Sequence, residues 1–255
     1  MPTTDRETGY LLRLLLIVAV LAMAPVAASH AEGSPEADPF FADDGFLGPQ
    51  VGDPLESINR PIFEANDVVD RAVLEPIARF YGWAVPGPIK QGIRGVFSNL
   101  NRPVIFVNQI LQFHPRGAAE TLGRFALNTT LGIGGLFDPA AELGWDEYHA
   151  DFGQTLGCYG VPPGIYHVIP LLGPTTTRDA LGSAVDTLMR VDSWLLPLTT
   201  LLYIGGGYGI TVREDRREEI AELRKASLDF YAAVRSAYLQ HREGLVQEAK
   251  HRDRW

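Results

Sequence analysis

The chain has 255 residues, of which 46% are hydrophobic and 21% are charged, and its formal net charge is -9 at pH 7. This length and apolar content are enough for one substantial hydrophobic core, and no shift in composition marks a second domain. The Lys and Arg residues are dispersed among acidic residues, so the concentrated positive charge that phosphate-backbone binding requires is missing. A nucleic-acid-binding role is therefore excluded from the expected functions.

The N-terminal residues follow the pattern of a secretory signal peptide. Basic residues as far as Arg13 precede an uncharged run over residues 14–24, and small residues follow up to Ala28 and Ala31. Residues 1–31 are therefore predicted to be a signal peptide, cleaved after Ala31 or Ala28. The run is shorter than the roughly 20 residues that a spanning helix needs, although an uncleaved anchor is the alternative.

Residues 32–52 are rich in Pro, Gly, Asp and Ala, and they show neither helical nor alternating periodicity. A segment of this composition cannot bury enough apolar surface to become ordered. We predict that it is a flexible acidic leader between the signal peptide and the folded chain.

The first predicted helix begins at Asp53, whose carboxylate can cap a helix, and Glu56 can reach back to the cap amide. Apolar residues then recur every three, four or seven positions as far as Phe80, which places them on one helical face. Pro61 and Pro76 are expected to bend or divide this helix, because proline removes a backbone donor.

Three further helices are predicted before residue 131. Apolar residues at helical spacing between 89 and 111 indicate two short helices that meet at Asn101 and Pro103. The next helix spans residues 115–130. Its inward-facing residues are predicted to be Ala118, Leu122 and Phe125.

Two segments rich in glycine and proline, 131–141 and 151–179, interrupt this helical pattern. Glycines in the first segment permit close approach between backbones. The second segment combines large apolar residues with a few polar side chains. A helix is predicted over residues 178–189.

Residues 193–212 contain no charged side chain. This uncharged run has the length of a membrane span, but Pro197 and the glycines between Gly205 and Gly209 argue against one straight helix. We predict a broken apolar element, either inside the protein or intercalated in lipid.

The tail has a different character, because charged residues dominate it while apolar residues keep helical spacing over residues 214–250. This pattern predicts one long amphipathic helix. The domain organisation is accordingly one helical domain over 53–212, followed by a C-terminal helix and tail over 213–255. No segment shows convincing strand alternation.

The sequence contains no nucleophile elbow, phosphate-binding loop, zinc-protease motif or paired-cysteine motif. Cys158 is the only cysteine, so it cannot form a disulfide within the chain. It could act as a nucleophile if His149 or His167 met it in space, or it could be a small buried thiol, which we favour.

A second polar group comprises Asp146, Glu147, His149 and Asp151. It could bind a cation, but its polar setting favours a solvated loop. No catalytic residue, metal or cofactor is therefore predicted.

The residues alone leave two interpretations of the glycine-rich loops open. Loops near Gly134, Gly153 and Gly206 could form the walls of a passage, because non-helical backbone at membrane depth is tolerated only inside protein or along a wet cavity. The alternative is an ordinary, tightly packed helical core.

Several long motifs lie in order along residues 53–211. They are DPLESINRPIFEAND, VPGPIKQGIRGVFSNLNRPVIFVNQILQ, RFALNTTLGIGGLFDPAA, DFGQTLGCYGVPPGIYHVIPLLGPTTTRD and residues 186–194. These motifs resemble the MlaA/VacJ family of Gram-negative outer-membrane proteins. Their number and order argue against chance similarity.

The resemblance implies an all-α fold, namely a ring-like single domain of short, proline-broken amphipathic helices with a central amphipathic channel. It implies a protein at the periplasmic face of the outer membrane that removes mislocalised phospholipids from the outer leaflet. The phospholipid would pass to the soluble periplasmic carrier MlaC, and a trimeric porin would be the membrane partner. The resemblance implies no covalent catalysis.

Under this interpretation, the lipid passage needs polar groups that meet headgroups and small residues that leave space. Ile62, Phe63 and Asn66 are predicted to form a gating helix that controls access. The predicted passage residues are Gly134, Gly135, Phe137, Gly153, Gln154, Thr155, Tyr159, Gly205 and Gly206.

One feature departs from the family pattern. Typical members are lipoproteins with an acylated cysteine directly after the signal peptide, whereas the only cysteine here is Cys158. We expect the chain to hold the membrane through its own apolar surface, a porin partner or an uncleaved signal segment. The competing functions are a secreted lipid-modifying enzyme and a structural envelope or virulence factor.

Overall fold

The computed structural model of the protein describes residues 53–196 and 198–252. The predicted signal peptide and acidic leader lie outside the described residues, as does Pro197. About 74% of the described residues are helical, which confirms the predicted all-α class apart from one small hairpin.

Eleven helices, one π-helical turn and one hairpin follow each other along the described chain. The elements are α1 (Glu56–Val69), the π turn (Asp70–Leu74), α2 (Glu75–Ala84), α3 (Gly87–Leu111), α4 (Pro115–Thr130), α5 (Pro139–Glu142), α6 (Phe152–Cys158), β1 (Tyr166–Ile169), β2 (Gly173–Thr176), α7 (Thr177–Met189), α8 (Val191–Leu195), α9 (Leu198–Asp215), α10 (Arg217–Ala226) and α11 (Phe230–His251).

Asp53 does not cap the first helix, contrary to the prediction. Leu55 occupies the cap position of α1 and makes no side-chain hydrogen bond there. The Asp53 carboxylate instead accepts hydrogen bonds from Asn59 Nδ2, at 2.8 Å, and from the Tyr231 hydroxyl. Asp53 therefore joins the start of α1 to α11.

Proline interrupts the helices less than predicted. Pro76 lies in the first turn of α2, directly after the π turn, so the expected division of the first helix occurs there. Pro61 lies inside α1 and Pro103 inside α3. The predicted pair of short helices meeting at Asn101 and Pro103 is therefore wrong. Burial of the apolar side chains of Val104 and Ile105, directly after Pro103, acts against the roughly 3 kcal/mol that an interior proline costs.

Strands β1 and β2 form an antiparallel hairpin that the sequence analysis did not predict. Tyr166 pairs with Thr176, and Ile169 pairs with Gly173. Each strand has only four residues, and strand alternation over so few residues is hard to separate from a loop.

Two asparagines of α1 hold the outer edge of β1. Asn59 Nδ2 donates to the Tyr166 carbonyl at 3.1 Å. Two helical turns later, Asn66 Nδ2 donates to the Ile169 carbonyl at 3.0 Å, and Asn66 Oδ1 accepts from the Leu171 amide at 2.8 Å. The two side chains bond to backbone groups that a neighbouring strand would otherwise satisfy.

The glycine run does not break the apolar element, contrary to the prediction. Gly205 and Gly209 both lie inside α9, which begins at Leu198 after α8 has ended at Leu195. The last turn of α9 is anchored, because Arg213 Nε lies 2.7 Å from Asp70 Oδ1 in the π turn. Among the described helices, none is both long and apolar enough to cross a membrane.

The predicted single helix of the tail is in fact two helices, α10 and α11. The Asp229 carboxylate accepts a hydrogen bond from the Ala232 amide and caps α11. It also lies 2.9 Å from Arg60 of α1. The cap and the ion pair to α1 fix the start of a new helix here, so α10 does not continue into α11.

Helix α11 packs back on α6 and β2. Arg242 Nη1 lies 2.7 Å from Asp151 Oδ2, and Arg242 Nη2 lies 2.8 Å from Asp179 Oδ1. The Tyr238 hydroxyl donates to Asp179 Oδ2 at 3.0 Å. We refer to Arg242, Asp151 and Asp179 as the clasp, because they fasten the C-terminal helix to the rest of the fold.

The distribution of polar and apolar residues is inverted relative to an ordinary helical core. Buried polar side chains outnumber buried apolar ones among the described residues. On α4, Thr121 and Arg124 are buried, whereas Leu122 is 50% exposed, so its predicted inward orientation is wrong. Buried polar groups and contiguous exposed apolar surface are the informative deviations from a soluble pattern.

The contacts between elements form a closed circuit. Helix α2 contacts α9, α9 contacts α3, and α3 contacts α7. Helix α7 contacts β2, β2 pairs with β1, β1 contacts α1, and α1 leads through the π turn back to α2. This circuit corresponds to the predicted ring-like arrangement.

Candidate functional site

A cavity of about 750 Å³ lies between α3, the ends of α7 and α8, and α9. The segment 147–154 closes another side, and Leu245 of α11 reaches the wall. Ligand pockets in proteins typically enclose about 300–1,000 Å³. The cavity is therefore large enough for a ligand much larger than water.

One part of the cavity wall is apolar. Phe97 of α3 and Tyr208 of α9 meet edge to face, with ring centroids 5.4 Å apart. Ile105, Val212 and Leu245 also line the cavity. These side chains offer a surface that favours hydrocarbon over water.

Another part carries two ion pairs. Arg94 Nη1 of α3 lies 2.5 Å from Asp215 Oδ1 at the end of α9, and these side chains are 43% and 37% exposed. Arg190 donates to both Asp192 oxygens, at 3.1 and 2.7 Å. Both partners of the Arg94–Asp215 pair are exposed, and such pairs contribute only about 0–1 kcal/mol to stability, so an exchange of partners is energetically easy there. The Arg190–Asp192 pair is more enclosed, since Asp192 is 10% exposed.

A third pair, between Arg102 and Glu147, belongs to the wall. Arg102 Nη2 lies 3.1 Å from Glu147 Oε1, and Ser98 Oγ donates to the same oxygen at 2.6 Å. The Arg102 side chain is only 2% exposed. Burial lowers the pKa of the Arg102 guanidinium, and the charge of Glu147 acts in the opposite direction. Loss of Glu147 would leave a buried charge uncompensated, so this pair is fixed.

Asp151 connects the cavity to the clasp. Its carboxylate accepts from the Gln154 amide at 2.8 Å and from Gln154 Nε2 at 2.9 Å. Burial alone would raise the pKa of the Asp151 carboxyl, but hydrogen bonds and charge from Arg242 outweigh it, so that pKa lies below its ordinary value. Asp151 therefore stays ionised at neutral pH.

Two predicted passage residues, Gln154 and Gly205, line the cavity. Gln154 lies in the first turn of α6, which the Asp151 carboxylate caps. A Cβ built on Gly205 would meet no atom within 4 Å. Both residues are thus positioned to contact a ligand, and their part in lipid passage stays a prediction.

Gly153 and Thr155 lie behind the wall. A Cβ built on Gly153 would lie 2.7 Å from Asp179 Oδ1 and 2.8 Å from Arg242 Nη2. Thr155 is buried and donates to Asn108 Oδ1 at 2.9 Å. These residues allow close packing of α6 rather than contact with the cavity.

The remaining predicted passage residues lie away from the cavity lining. Gly135 has a φ of +97°, and a Cβ there would lie 2.6 Å from the Asn99 Cβ, so it allows the 131–138 turn to pack on α3. Tyr159 is 60% exposed, and its hydroxyl donates to the Leu111 carbonyl. The others outside the lining are Gly134, Phe137 and Gly206.

The predicted gating residues lie together on α1, outside the cavity lining. Ile62 and Phe63 pack against the apolar cluster that contains Tyr166 and Tyr231, and the Phe63 and Tyr231 ring centroids are 5.4 Å apart. Asn66 holds the β-hairpin. The three residues fix α1 to the hairpin, and a gating role stays a prediction.

Sequence reasoning missed the cavity's charged residues, Arg94, Arg190, Asp192 and Asp215. A signal existed on α3, because Arg94, Ser98 and Asn101 lie three or four positions apart and so share one face of the helix. The aspartate at the end of α9 carried no comparable signal, since its partner is 121 positions earlier in the chain.

Burial affects two of the residues that were considered for catalysis, Cys158 and His167. Cys158 is half-buried, and burial raises the pKa of its thiol, which disfavours the thiolate. His167 Nε2 lies 3.0 Å from Thr177 Oγ1, and burial lowers the pKa of the ring. Within the described residues, no group of three or more His, Cys, Asp or Glu side chains could hold a metal ion.

The fold and the cavity define a helical protein built around an amphipathic cavity, with an exterior suited to apolar surroundings. The sequence model of the family described as MlaA lipoprotein matches residues 51–245. The chain belongs to the MlaA family.

Individual relatives agree with this assignment. The chain is 36% identical over 209 residues to the intermembrane phospholipid transport system lipoprotein MlaA of Haemophilus influenzae, covering 78% of this chain and 80% of the relative. It is 37% identical over 198 residues to the protein of the same name from Escherichia coli, covering 75% and 77%.

A solved structure is also similar. It was described as the structural basis for maintenance of bacterial outer membrane lipid asymmetry, and it matches with a TM-score of 0.70 and 36% identity. The match covers 76% of this chain and 99% of that chain.

Proposed function

We propose that this chain is the outer-membrane component of a phospholipid transport system and that phospholipid occupies the cavity. The observation that carries the proposal is one cavity with an aromatic and aliphatic wall beside two ion pairs, of which Arg94–Asp215 is exposed on both sides. A phospholipid has the same division into apolar tails and a charged headgroup. The names of the Haemophilus influenzae and Escherichia coli relatives support this substrate class.

The finer parts of the proposal come from the family resemblance. The chain removes mislocalised phospholipid from the outer leaflet and hands it, at the periplasmic face, to the soluble carrier MlaC. A trimeric porin accompanies it in the membrane. The exposed apolar side chains supply membrane contact, since such surface is costly in water.

The proposal includes no chemical step. Movement of a phospholipid between membranes requires no bond to break, and the raised pKa of the Cys158 thiol opposes nucleophilic attack. A Cys158→Ala variant is therefore expected to transport normally. Loss of transport in a folded Cys158→Ala protein would favour the lipid-modifying enzyme instead.

The test of the transport function compares two neighbouring glycines of α9. Gly205 lines the cavity, whereas Gly206 is not part of the lining and lies about 100° further round the helix. A Cβ on either glycine would meet no atom within 4 Å, so a side chain can begin at both positions without a clash.

Cells lacking the protein would be complemented with wild type, Gly205→Phe or Gly206→Phe, and outer-leaflet phospholipid and detergent resistance would be measured. Gly205→Phe should fail to restore the barrier because its ring fills the cavity, and Gly206→Phe should restore it. Full complementation by Gly205→Phe at normal protein level would contradict transport through this cavity.

A further inference from the structure

We infer that the Arg94–Asp215 pair is a headgroup site that favours zwitterionic lipids, which carry a phosphate and an ammonium, over lipids of net negative headgroup charge. The inference rests on the proposed function and concerns which phospholipid the cavity accepts. It follows from the pairing, exposure and placement of the charged groups around the cavity.

Each arginine that lines the cavity has its own carboxylate. Arg94 pairs with Asp215, and Arg190 pairs with Asp192. The other two carboxylates of the lining, Glu147 and Asp151, are paired with Arg102 and Arg242. An anionic headgroup would therefore find no unpaired arginine among the described residues of the lining, and its phosphate would approach a carboxylate.

A zwitterionic headgroup can enter without this conflict. Its phosphate can take the Arg94 guanidinium, which suits bidentate recognition of phosphate, and its ammonium can take the Asp215 carboxylate. One ion pair is replaced by two, and neither protein charge is left alone. A lipid whose headgroup carries only the phosphate charge would take Arg94 from its ion pair and leave the Asp215 carboxylate without a cation.

Exposure distinguishes this pair from the others. Arg94 and Asp215 are 43% and 37% exposed, so both can be reached from the cavity and their mutual attraction is screened. Asp192 is only 10% exposed, and Arg102 only 2%. The Arg94–Asp215 pair is thus the one whose two partners are both available to a ligand.

Placement gives the site a defined orientation. Arg94 belongs to α3 and Asp215 ends α9, so the headgroup would lie between these helices. Phe97 lies one turn after Arg94 on α3, and Tyr208 lies two turns before Asp215 on α9. Their rings lie against each other in the same wall. Lipid tails would extend along these rings.

The test loads the detergent-purified full chain from vesicles containing equal amounts of phosphatidylethanolamine and phosphatidylglycerol. Bound lipid would be extracted and quantified by mass spectrometry. Wild type should be enriched in phosphatidylethanolamine by about two- to fivefold, the range expected for one exposed ion pair. Asp215→Asn should lose this enrichment or reverse it toward phosphatidylglycerol, since Arg94 is then unpaired.

The matched control is Glu56→Gln, which removes an exposed carboxylate from an arginine pair on α1, outside the cavity lining. It should keep the wild-type lipid ratio. Bound lipid in the vesicle ratio, or an unchanged ratio in Asp215→Asn, would overturn the headgroup inference alone. Complete absence of bound phospholipid would overturn the proposed function itself.

Glycerophosphoethanolamine serves as a final arm because it has the same headgroup without tails. Added at the concentration of the lipid, it should leave the lipid bound, since the apolar wall retains the tails. Displacement at that concentration would show a site for a small soluble ligand and would contradict a lipid site.

Discussion

Arg242 of the clasp and Arg94 of the cavity both pair with aspartate, but the Arg242 side chain is 13% exposed and the Arg94 side chain 43%. Arg242 bonds to two carboxylates, those of Asp151 and Asp179, and both of these accept further hydrogen bonds. Arg94 bonds to one carboxylate, Asp215, in an open cavity. Both clasp carboxylates are bonded to Arg242 and to further donors, whereas the cavity pair has capacity left for a ligand.

The difference teaches that burial decides what a polar residue does in this fold. Where charged groups are enclosed, they must be fully paired and they fix one arrangement of helices. Where they are reachable from the cavity, their pairing is weak enough to exchange. The same residue types thus hold the structure at one site and face a ligand at another.

Removal of the clasp arginine should have the largest effect on stability. Arg242→Leu leaves the half-buried Asp151 without a cation and the buried Asp179 with Arg178 alone, which should cost roughly 3 kcal/mol of unfolding free energy. Urea denaturation followed by circular dichroism in detergent measures it. Arg116→Leu, which removes an exposed pair within α4, is the control and should unfold like wild type. Equal unfolding of the two variants would break the distinction between clasp and surface.

Tight packing beside the clasp should give the next largest effect. A Cβ on Gly182 of α7 would lie 2.3 Å from the Gly153 backbone nitrogen, so Gly182→Ala must push α6 and α7 apart. Overpacking of this kind costs about 1–3 kcal/mol. Gly206→Ala, in open space on α9, should be neutral or slightly stabilising. A neutral Gly182→Ala would mean that the two helices are not in such close contact.

A pH-dependent effect should come from Asp186, between the clasp and the cavity. Burial raises the pKa of Asp186 to about 6, although Phe152 and Asn108 donate hydrogen bonds to it. Its unfolded pKa is about 3.9, so between about pH 4 and 6 the folded state holds a proton that the unfolded state has released. This contribution to stability is present at low pH and is lost as pH rises toward 6.

The expected loss is about 1–2 kcal/mol after allowance for solvent screening of a partly buried carboxyl. Unfolding free energies of wild type and Asp186→Asn, measured from pH 4 to pH 7, check it. The difference in unfolding free energy between the two proteins should change from pH 4 to about pH 6 and then level off toward pH 7. A constant difference from pH 4 to pH 7 would show that Asp186 is already ionised throughout.

The smallest effect should come from the cavity pair. Arg94→Leu should change the unfolding free energy by only about 0–1 kcal/mol, because a partly exposed ion pair contributes little. The measurement is thermal unfolding of Arg94→Leu and Arg242→Leu under the same conditions, which compares the cavity pair with the clasp. A destabilisation as large as that of Arg242→Leu would show that the Arg94 pair is structural and not available for exchange.

Local sequence rules predicted the helices with clear ends. Helix α4 runs from Pro115 to Thr130 as predicted, because proline fits a first turn and positive φ values at Gly134 and Gly135 follow its end. The same rules failed where distant contacts compensate for a local cost. Helix α3 continues through Pro103, and α9 continues through its glycines.

Other misses had a local signal that was not used. Asp229 before an apolar helical pattern is a typical helix cap, and it divides the tail where one helix was predicted. The cavity's charges could not be predicted as a site, since Arg94 and Asp215 meet only after the chain has closed its circuit. Of the predicted passage residues, Gln154 and Gly205 line the cavity and the other seven do not. Polarity and size alone do not indicate which side of a helix faces a cavity.

The central claim is that the cavity holds phospholipid, and site-specific photocrosslinking tests it most directly. A photoreactive amino acid would replace Asn101, which lines the cavity, or Gln240, which is exposed on α11. After irradiation in cells with radiolabelled phospholipid, the purified Asn101 variant should carry label and the Gln240 variant should not. An unlabelled Asn101 variant, or equal labelling at both positions, would contradict the claim.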